Sequence, residues 1–315
     1  MGAHARPRKS RRKGAMMTTA AMVGMTAPVA VSGIASAAPV TQSVRAADDA
    51  EPAAASSAPS SLHTKHAFLA DATHGKNMYE GSEGHTAVPM GSITKVMTAQ
   101  VVLKHHKADL DKLVTVKQEY RDYVQKHASS TADLKTGDKL TVRQLLSAML
   151  VPSGCDAAYA LADTLGEGDT AKERVASFVD QMNADAQELG MKDTQFDTPT
   201  GWSDANGNHS TAADLTKLGT EVLKDKTISD VVSQKSGREV ATNGREYTWE
   251  NTDKLLTTYD GALGIKTGSG PDAGYCLLFA AQRDGRTLVG TVLADTEDRF
   301  KDAKSMLDWG FQQSA

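Results

Sequence analysis

The chain predicts an α+β fold, an antiparallel sheet flanked by helices with an all-helical insertion. Three observations predict it. Strand-like segments joined by short turns lie at both ends of the folding part, helical periodicity fills the middle, and an amphipathic segment closes the chain. Residues 66–71 and 76–80, separated by Ala72-Thr73-His74-Gly75, read as a β-hairpin. After Pro89, the apolar residues Ile93, Val96, Met97 and Val101 recur at helical spacing, which predicts a helix from Ser92 to about His105. Thr141 and Gln144 form a capping-box pattern before a helix over 142–150, and Pro152 breaks it. A second helix over 156–165 ends at Gly166, so Ser153-Gly154-Cys155 sits on a tight link between two helices. Further helices are predicted over 172–189, stopping at Gly190, and over 211–224, where Thr211 and Asp214 fit a second capping box. Strands are expected over 264–267, 275–282 and 287–294, the last two around Asp284-Gly285. A closing helix over 300–311 places Phe300, Ala303, Met306, Leu307 and Gly310 on one face.

The N-terminus reads differently. Six basic residues between Arg6 and Lys13 precede a weakly apolar run to Ile34 and then Ala35-Ser36-Ala37, the layout of an export signal with its cleavage site, over residues 1–37. Residues 38–61, rich in Ala, Ser, Pro and Asp, read as a disordered linker. The 278 residues after the signal carry 29 Lys and Arg against 39 Asp and Glu, and a net charge of −10 argues against nucleic-acid binding. Nothing after the signal approaches the roughly 18 apolar residues of a membrane span. The two cysteines, Cys155 and Cys276, are expected to be free thiols. No metal or nucleotide motif is present, and no cofactor is expected.

Three short motifs carry chemistry. In Ser92-Ile93-Thr94-Lys95 the i, i+3 spacing puts a hydroxyl and an amine on one helical face, beside the unpaired N–H groups of a helix start. Ser153 adds a second hydroxyl on an interhelical turn. Lys266-Thr267-Gly268 supplies a cation at the end of a predicted strand, with a glycine that lets a substrate backbone approach. Two strings mimic these: Ser10-x-x-Lys13 lies in the signal segment, and Lys135-Thr136-Gly137 precedes Asp138-Lys139 in a polar turn, so Lys135 is assigned to the surface. Nucleophile, neighbouring base, second hydroxyl and cation together are the inventory of an active-site serine acyltransferase.

The same motifs resemble those of the serine D-alanyl-D-alanine peptidases, the low-molecular-mass penicillin-binding proteins of the peptidase S11 type. The likeness extends to Gly91 and to Val96-Met97-Thr98-Ala99, to 141–146, Met182-Asn183, 189–191, Ser210-Thr211-Ala212, 251–256 and Trp309-Gly310-Phe311, and so covers about residues 62–313. It implies a β-lactamase/DD-peptidase-like catalytic domain over 62–313, with the sheet part about 62–108 and 235–313 and the helical insertion about 109–234. It further implies that Ser92 attacks the carbonyl between two D-alanines of a peptidoglycan stem peptide while Lys95 takes its proton. Ser153 would relay a proton to the leaving amine. Lys266 and Thr267 would hold the terminal carboxylate, with Arg299 helping to orient it. Gly268 would admit the substrate backbone, and the N–H groups of Ser92 and Ser269 would form the oxyanion hole. β-Lactams, which mimic the D-Ala-D-Ala end, would acylate Ser92. An exported, monomeric enzyme of the cell envelope or medium is the expectation.

Two departures from the family pattern matter. Cys155 stands where most relatives carry the Asn that bonds the substrate backbone, a feature shared with the small actinomycete DD-transpeptidases, and a thiol is a weaker partner than a carboxamide. Slow hydrolysis or preferred transfer to an amine is the expected consequence. The usual C-terminal β-rich domain and amphipathic anchor do not follow Phe311, which leaves membrane attachment open. Two other readings compete with this one. A serine β-lactamase would need the E-x-x-L-N deacylation loop, which does not occur between Ser153 and Lys266. A non-catalytic cell-wall-binding protein would not need Ser92, Lys95, Ser153 and Lys266 together.

Overall fold

Residues 58–59, 61–202 and 207–314 are described in the computed structural model of the chain, so the export signal and nearly all of the linker lie outside the described residues. The expected hairpin forms from β1 (His66–Asp71) and β2 (Lys76–Glu80). A two-residue strand β3 (Val88–Pro89) leads into a 3-10 turn, Gly91–Ile93, and then α1 (Thr94–His105). Next come β4 (Leu113–Thr115), α2 (Gln118–His127) and β5 (Lys139–Thr141), with β4 and β5 paired antiparallel. The reciprocal cap predicted at Thr141 opens α3 (Val142–Leu150). After Pro152 come α4 (Cys155–Leu165) and α5 (Ala171–Glu188).

The short strand β6 (His209–Ser210) pairs with β3 and so ties the start of α6 (Ala212–Val222) to the approach of α1. Then follow α7 (Lys226–Val232), a hairpin of β7 (Ser236–Val240) and β8 (Glu246–Glu250), and the single turn α8 (Leu255–Thr258). Three long strands, β9 (Ala262–Gly270), β10 (Gly274–Arg283) and β11 (Arg286–Asp295), precede α9 (Arg299–Gln312).

The main sheet has the order β2-β1-β11-β10-β9 with every pairing antiparallel, as expected. Period-two alternation divides its residues between two cores. Ala67, Leu69, Leu277, Phe279, Leu288 and Val292 pack with Ala303, Met306 and Leu307 of α9. Phe68, Leu278, Val289 and Leu293 join Leu215 and Leu218 of α6 in a larger core, which also holds the buried faces of α1, α3, α4 and α5. Each fully buried Leu or Met stabilises by about 1.5–3 kcal/mol, so both covered faces fix the sheet as the middle layer.

The helical region includes the β4–β5 ladder besides its helices. At Thr211 the hydroxyl accepts the Asp214 N–H, but the Asp214 carboxylate turns instead to the Asp193 N–H, the Thr194 hydroxyl and Lys217, so only half the predicted box forms. The strand carrying Lys266 is longer than predicted and continues through Gly268 to Gly270, because β10 pairs with it along that whole length. Among the described residues no helix is long and apolar enough to cross a membrane.

Candidate active site

Ser92 lies two residues before α1, in the 3-10 turn, and Lys95 is in the first turn of the helix. The i, i+3 geometry survives that shift. Lys95 is completely buried, and its Nζ donates to Ser92 Oγ at 2.8 Å and to the Thr200 carbonyl at 2.6 Å. The amine is thereby held against the hydroxyl from behind. Thr200 is fixed in turn, its own hydroxyl 2.7 Å from that of Tyr123.

Backbone packs directly on backbone around this turn. Gly91 has φ +55, and a Cβ there would lie 2.9 Å from both the N and O of Ser269. At Gly268 a Cβ would come within 2.3 Å of the Met90 carbonyl oxygen. Only glycine permits both approaches. As a result edge strand β9 lies alongside the nucleophile turn, with the Ser269 backbone beside Gly91-Ser92.

Ser153 occupies the α3–α4 link with φ +68, a left-handed conformation that costs a non-glycine residue about 1 kcal/mol. The surroundings enforce it. The Ser153 carbonyl accepts from Ser130 Oγ at 2.5 Å, the Cys155 N–H donates to the Ser130 carbonyl, and the Gly154 N–H donates to Ala148. Buried Asp156 holds the 131–134 loop by accepting from the Ala132 and Leu134 N–H groups and from Thr131. Ser153 Oγ itself is buried and has no hydrogen-bond partner. Cys155 is buried and free, its Sγ 3.6 Å from Ser130 Oγ; Cys276 is also free, and burial pushes its thiol up to about 11.

Lys266 is buried in mid-strand rather than at a strand end, and its Nζ reaches only the carbonyl and hydroxyl of the adjacent Thr267. Burial and then the nearby Lys95 push its amine well below the ordinary lysine range, against the pull of Asp253. Thr267 Oγ1 is 2.6 Å from Thr252 Oγ1. Arg299, at the start of α9, donates to the carbonyls of Gly268 and Cys276 and lies over the rings of Tyr275 and Phe300. The structure thus gathers Ser92, Lys95, Gly268 and Ser269 around the nucleophile turn, with Lys266 within electrostatic reach of Lys95, Cys155 and Arg299.

The second Lys-Thr-Gly string is an exposed turn whose Lys135 pairs with Asp133 and whose Thr136 bonds Gln118. Sequence reasoning missed Thr200, which acts through a backbone carbonyl that leaves no residue signature, and Ser130, whose hydroxyl and carbonyl hold the Ser153 link from more than twenty residues away. Thr252 and Asp253 fall within the 251–256 segment that shares the family pattern. Among the described residues no group of His, Cys, Asp and Glu could hold a metal ion.

Residues 52–297 match the peptidase S11 family, D-alanyl-D-alanine carboxypeptidase. A D-alanyl-D-alanine carboxypeptidase of Streptomyces sp. strain K15 is 47% identical over 228 residues, 70% of this chain and 78% of that one. DacB2 of Mycobacterium tuberculosis, a D-alanyl-D-alanine carboxypeptidase, is 32% identical over 250 residues, 78% of this chain and 81% of its own. Bacillus subtilis DacF is 29% identical, and the match spans 62% of its length. The crystal structure of the Streptomyces K15 DD-transpeptidase superposes with a TM-score of 0.78 at 42% identity, covering 81% of this chain and all of that one. A match over most of the chain, on a fold that brings the nucleophile turn and the Lys-Thr-Gly strand together, makes this protein a member of the D-alanyl-D-alanine carboxypeptidase family, peptidase S11.

Proposed function

We propose that the protein is a serine DD-peptidase acting on the D-Ala-D-Ala ends of peptidoglycan stem peptides, outside the cytoplasm. The observation that carries the reading is the buried Lys95 amine, 2.8 Å from Ser92 Oγ and anchored on Thr200. Ser92 Oγ attacks the carbonyl carbon between the two D-alanines while its proton passes to Lys95. The oxygen that becomes negative is received by the N–H groups of Ser92 and Ser269, each donor worth about 3 kcal/mol of barrier. The C–N bond then breaks, a proton reaching the departing nitrogen through Ser153, whose buried hydroxyl has no other partner. D-Alanine leaves and an ester to Ser92 remains, which water hydrolyses or an amine takes up in transpeptidation. Lys266 and Thr267 hold the terminal carboxylate, Arg299 braces the strand end through the Gly268 carbonyl, and Cys155 takes the place of the residue that bonds the substrate backbone. β-Lactams, presenting an amide and a carboxylate in the same relation, acylate Ser92.

Fluorescent penicillin, together with D-alanine release from a diacyl-D-Ala-D-Ala peptide, tests this. Wild type takes up label stoichiometrically and releases D-alanine, whereas Ser92→Ala does neither, losing about a thousandfold or more in turnover. Rapid multiple turnover of nitrocefin would instead make the protein a β-lactamase. Absence of label in both proteins would make it a binding module.

A further inference from the structure

The turn that carries Ser153 is held from outside its own motif. Ser153 has φ +68, a region that glycine enters freely and other residues enter only under constraint. Glycine there would remove the strain and the hydroxyl together, so the strain accompanies the side chain the reaction uses. Ser153 Oγ is buried and has no hydrogen-bond partner of its own. Its position is therefore set by the backbone beneath it.

One residue brackets that backbone. Ser130, on the loop after α2, is itself exposed, yet its hydroxyl turns inward and donates to the Ser153 carbonyl at 2.5 Å. Its carbonyl accepts the Cys155 N–H at 2.9 Å, so the two bonds close on either side of Gly154. There is little slack between them: a Cβ on Gly154 would lie 2.6 Å from the Ala148 carbonyl oxygen and 2.8 Å from both Ala132 Cβ and Asp156 Oδ1. The loop is anchored in turn by buried Asp156 of α4, which accepts from the Ala132 and Leu134 N–H groups and from the Thr131 hydroxyl. Any residue at position 130 would supply the carbonyl. Only a side-chain donor supplies the bond to Ser153.

We propose that Ser130 is a positioning residue for protonation of the leaving group: its hydroxyl pins the Ser153 carbonyl, keeps the left-handed turn in place and so keeps Ser153 Oγ where a departing nitrogen collects its proton. The inference rests on the relay role given to Ser153 above. As the C–N bond breaks, its electron pair stays on nitrogen and the nitrogen takes the Ser153 hydroxyl proton. Ser153 regains a proton from Lys95, which holds the one taken from Ser92, and D-alanine leaves as the amine. An amine needs that proton to depart, whereas a thiolate is stable as an anion and leaves without it. The strain of a left-handed serine and the net worth of one hydrogen bond are of the same order, so removing the bond lets the turn relax. Loss of the Ser130 hydroxyl therefore slows the cleavage of amides and spares that of thioesters.

The test compares kcat/KM for D-alanine release from a diacetyl-Lys-D-Ala-D-Ala peptide with kcat/KM for thiol release from the analogue ending in D-thiolactate, in wild type, Ser130→Ala, Ser153→Ala and the double variant. Ser130→Ala lowers the amide value about tenfold and leaves the thioester value within about twofold, so the amide-to-thioester ratio falls about tenfold. Ser130→Thr keeps the hydroxyl and brings the ratio back to within about threefold of wild type. Ser130→Cys, a weak donor, serves if the Ala variant folds poorly. In the Ser153→Ala background, adding Ser130→Ala leaves the ratio in place. Equal losses on both substrates in a folded Ser130 variant, an unchanged ratio, or the same fall in the Ser153→Ala background overturn the proposal while wild-type turnover stands. A Ser153→Ala variant with the wild-type ratio overturns the relay role, and a wild-type protein that releases no D-alanine overturns the functional reading, each taking this proposal with it.

Discussion

The two ends of the five-stranded sheet treat buried carboxylates in opposite ways. At the hairpin end Asp71, fully buried, accepts from the Thr73 and His74 N–H groups, the His74 ring and Arg286 Nε. Burial alone would raise its carboxyl, but the donors of His74 and Arg286 outweigh it and hold the group at about 2. Beside the cleft Asp253 has one donor and an orphan oxygen, and burial wins, pushing it to about 6. Ser153 Oγ is likewise buried without a partner. The difference lies in the donors that reach each group: four meet Asp71 and one meets Asp253, and buried Asp295 on β11, with the Glu297 N–H on one oxygen and the other oxygen orphaned, is raised in the same way as Asp253.

The largest test of that contrast uses the repeated tripeptide. Lys266→Ala lowers kcat/KM on a D-Ala-D-Ala peptide by about a hundredfold or more, while Lys135→Ala, on the exposed turn, leaves it within about twofold. Comparable losses from both would erase the distinction between the two strings. At the hairpin end, Asp71→Ala strands the Arg286 guanidinium and three further donors, and destabilises the fold by about 3 kcal/mol with turnover per folded molecule unchanged. Urea unfolding beside active-site titration with penicillin checks both halves.

Opposite pH dependences follow from the two carboxyls. Asp71, lowered in the folded state, contributes about 2 kcal/mol above pH 4, and this is lost as pH falls through about 2. Asp253, raised in the folded state, carries no penalty below about pH 4 and its full penalty, about 3 kcal/mol, above about pH 6. Asp253→Asn therefore flattens the stability profile between pH 4 and 6 and leaves the acid limb below pH 4 untouched, as urea titrations from pH 2 to 7 would record. The smallest effect is expected at Cys155. Restoring a carboxamide with Cys155→Asn raises the ratio of hydrolysis to transfer about twofold or more, read by product analysis with and without a glycine-type amine. An unchanged ratio would remove Cys155 from the choice of acceptor.

Much of the frame could be read from residue order. The hairpin of β1 and β2, the capping box at Thr141 and the helix over 142–150 appear where spacing placed them, because these features depend on neighbours within four residues. The β7–β8 hairpin and α7 escaped. Along β7 only Gly237 is fully buried, so no apolar alternation marks the strand, and α7 is only seven residues long. In the site, Ser92, Lys95, Ser153 and Lys266 are legible as residue types, whereas Thr200 contributes a carbonyl, which every residue has, and Ser130 reaches the Ser153 link only through the fold. Only half of the Thr211 box formed, because Asp214 found better donors across the fold in Asp193 and Thr194.

What the sequence determined by itself was local: a hydroxyl and an amine one helical turn apart, a turn between two helices, and alternating strands that demand cover on both faces. Tertiary structure decided the electrostatics. Lys95 meets its carbonyl partner 105 residues away, and Lys266 becomes a buried, perturbed amine only once Lys95, Arg299 and Asp253 are folded around it. Spacing rules act through a few bonds of backbone, while burial and charge act through space, across segments that only the folded core brings together.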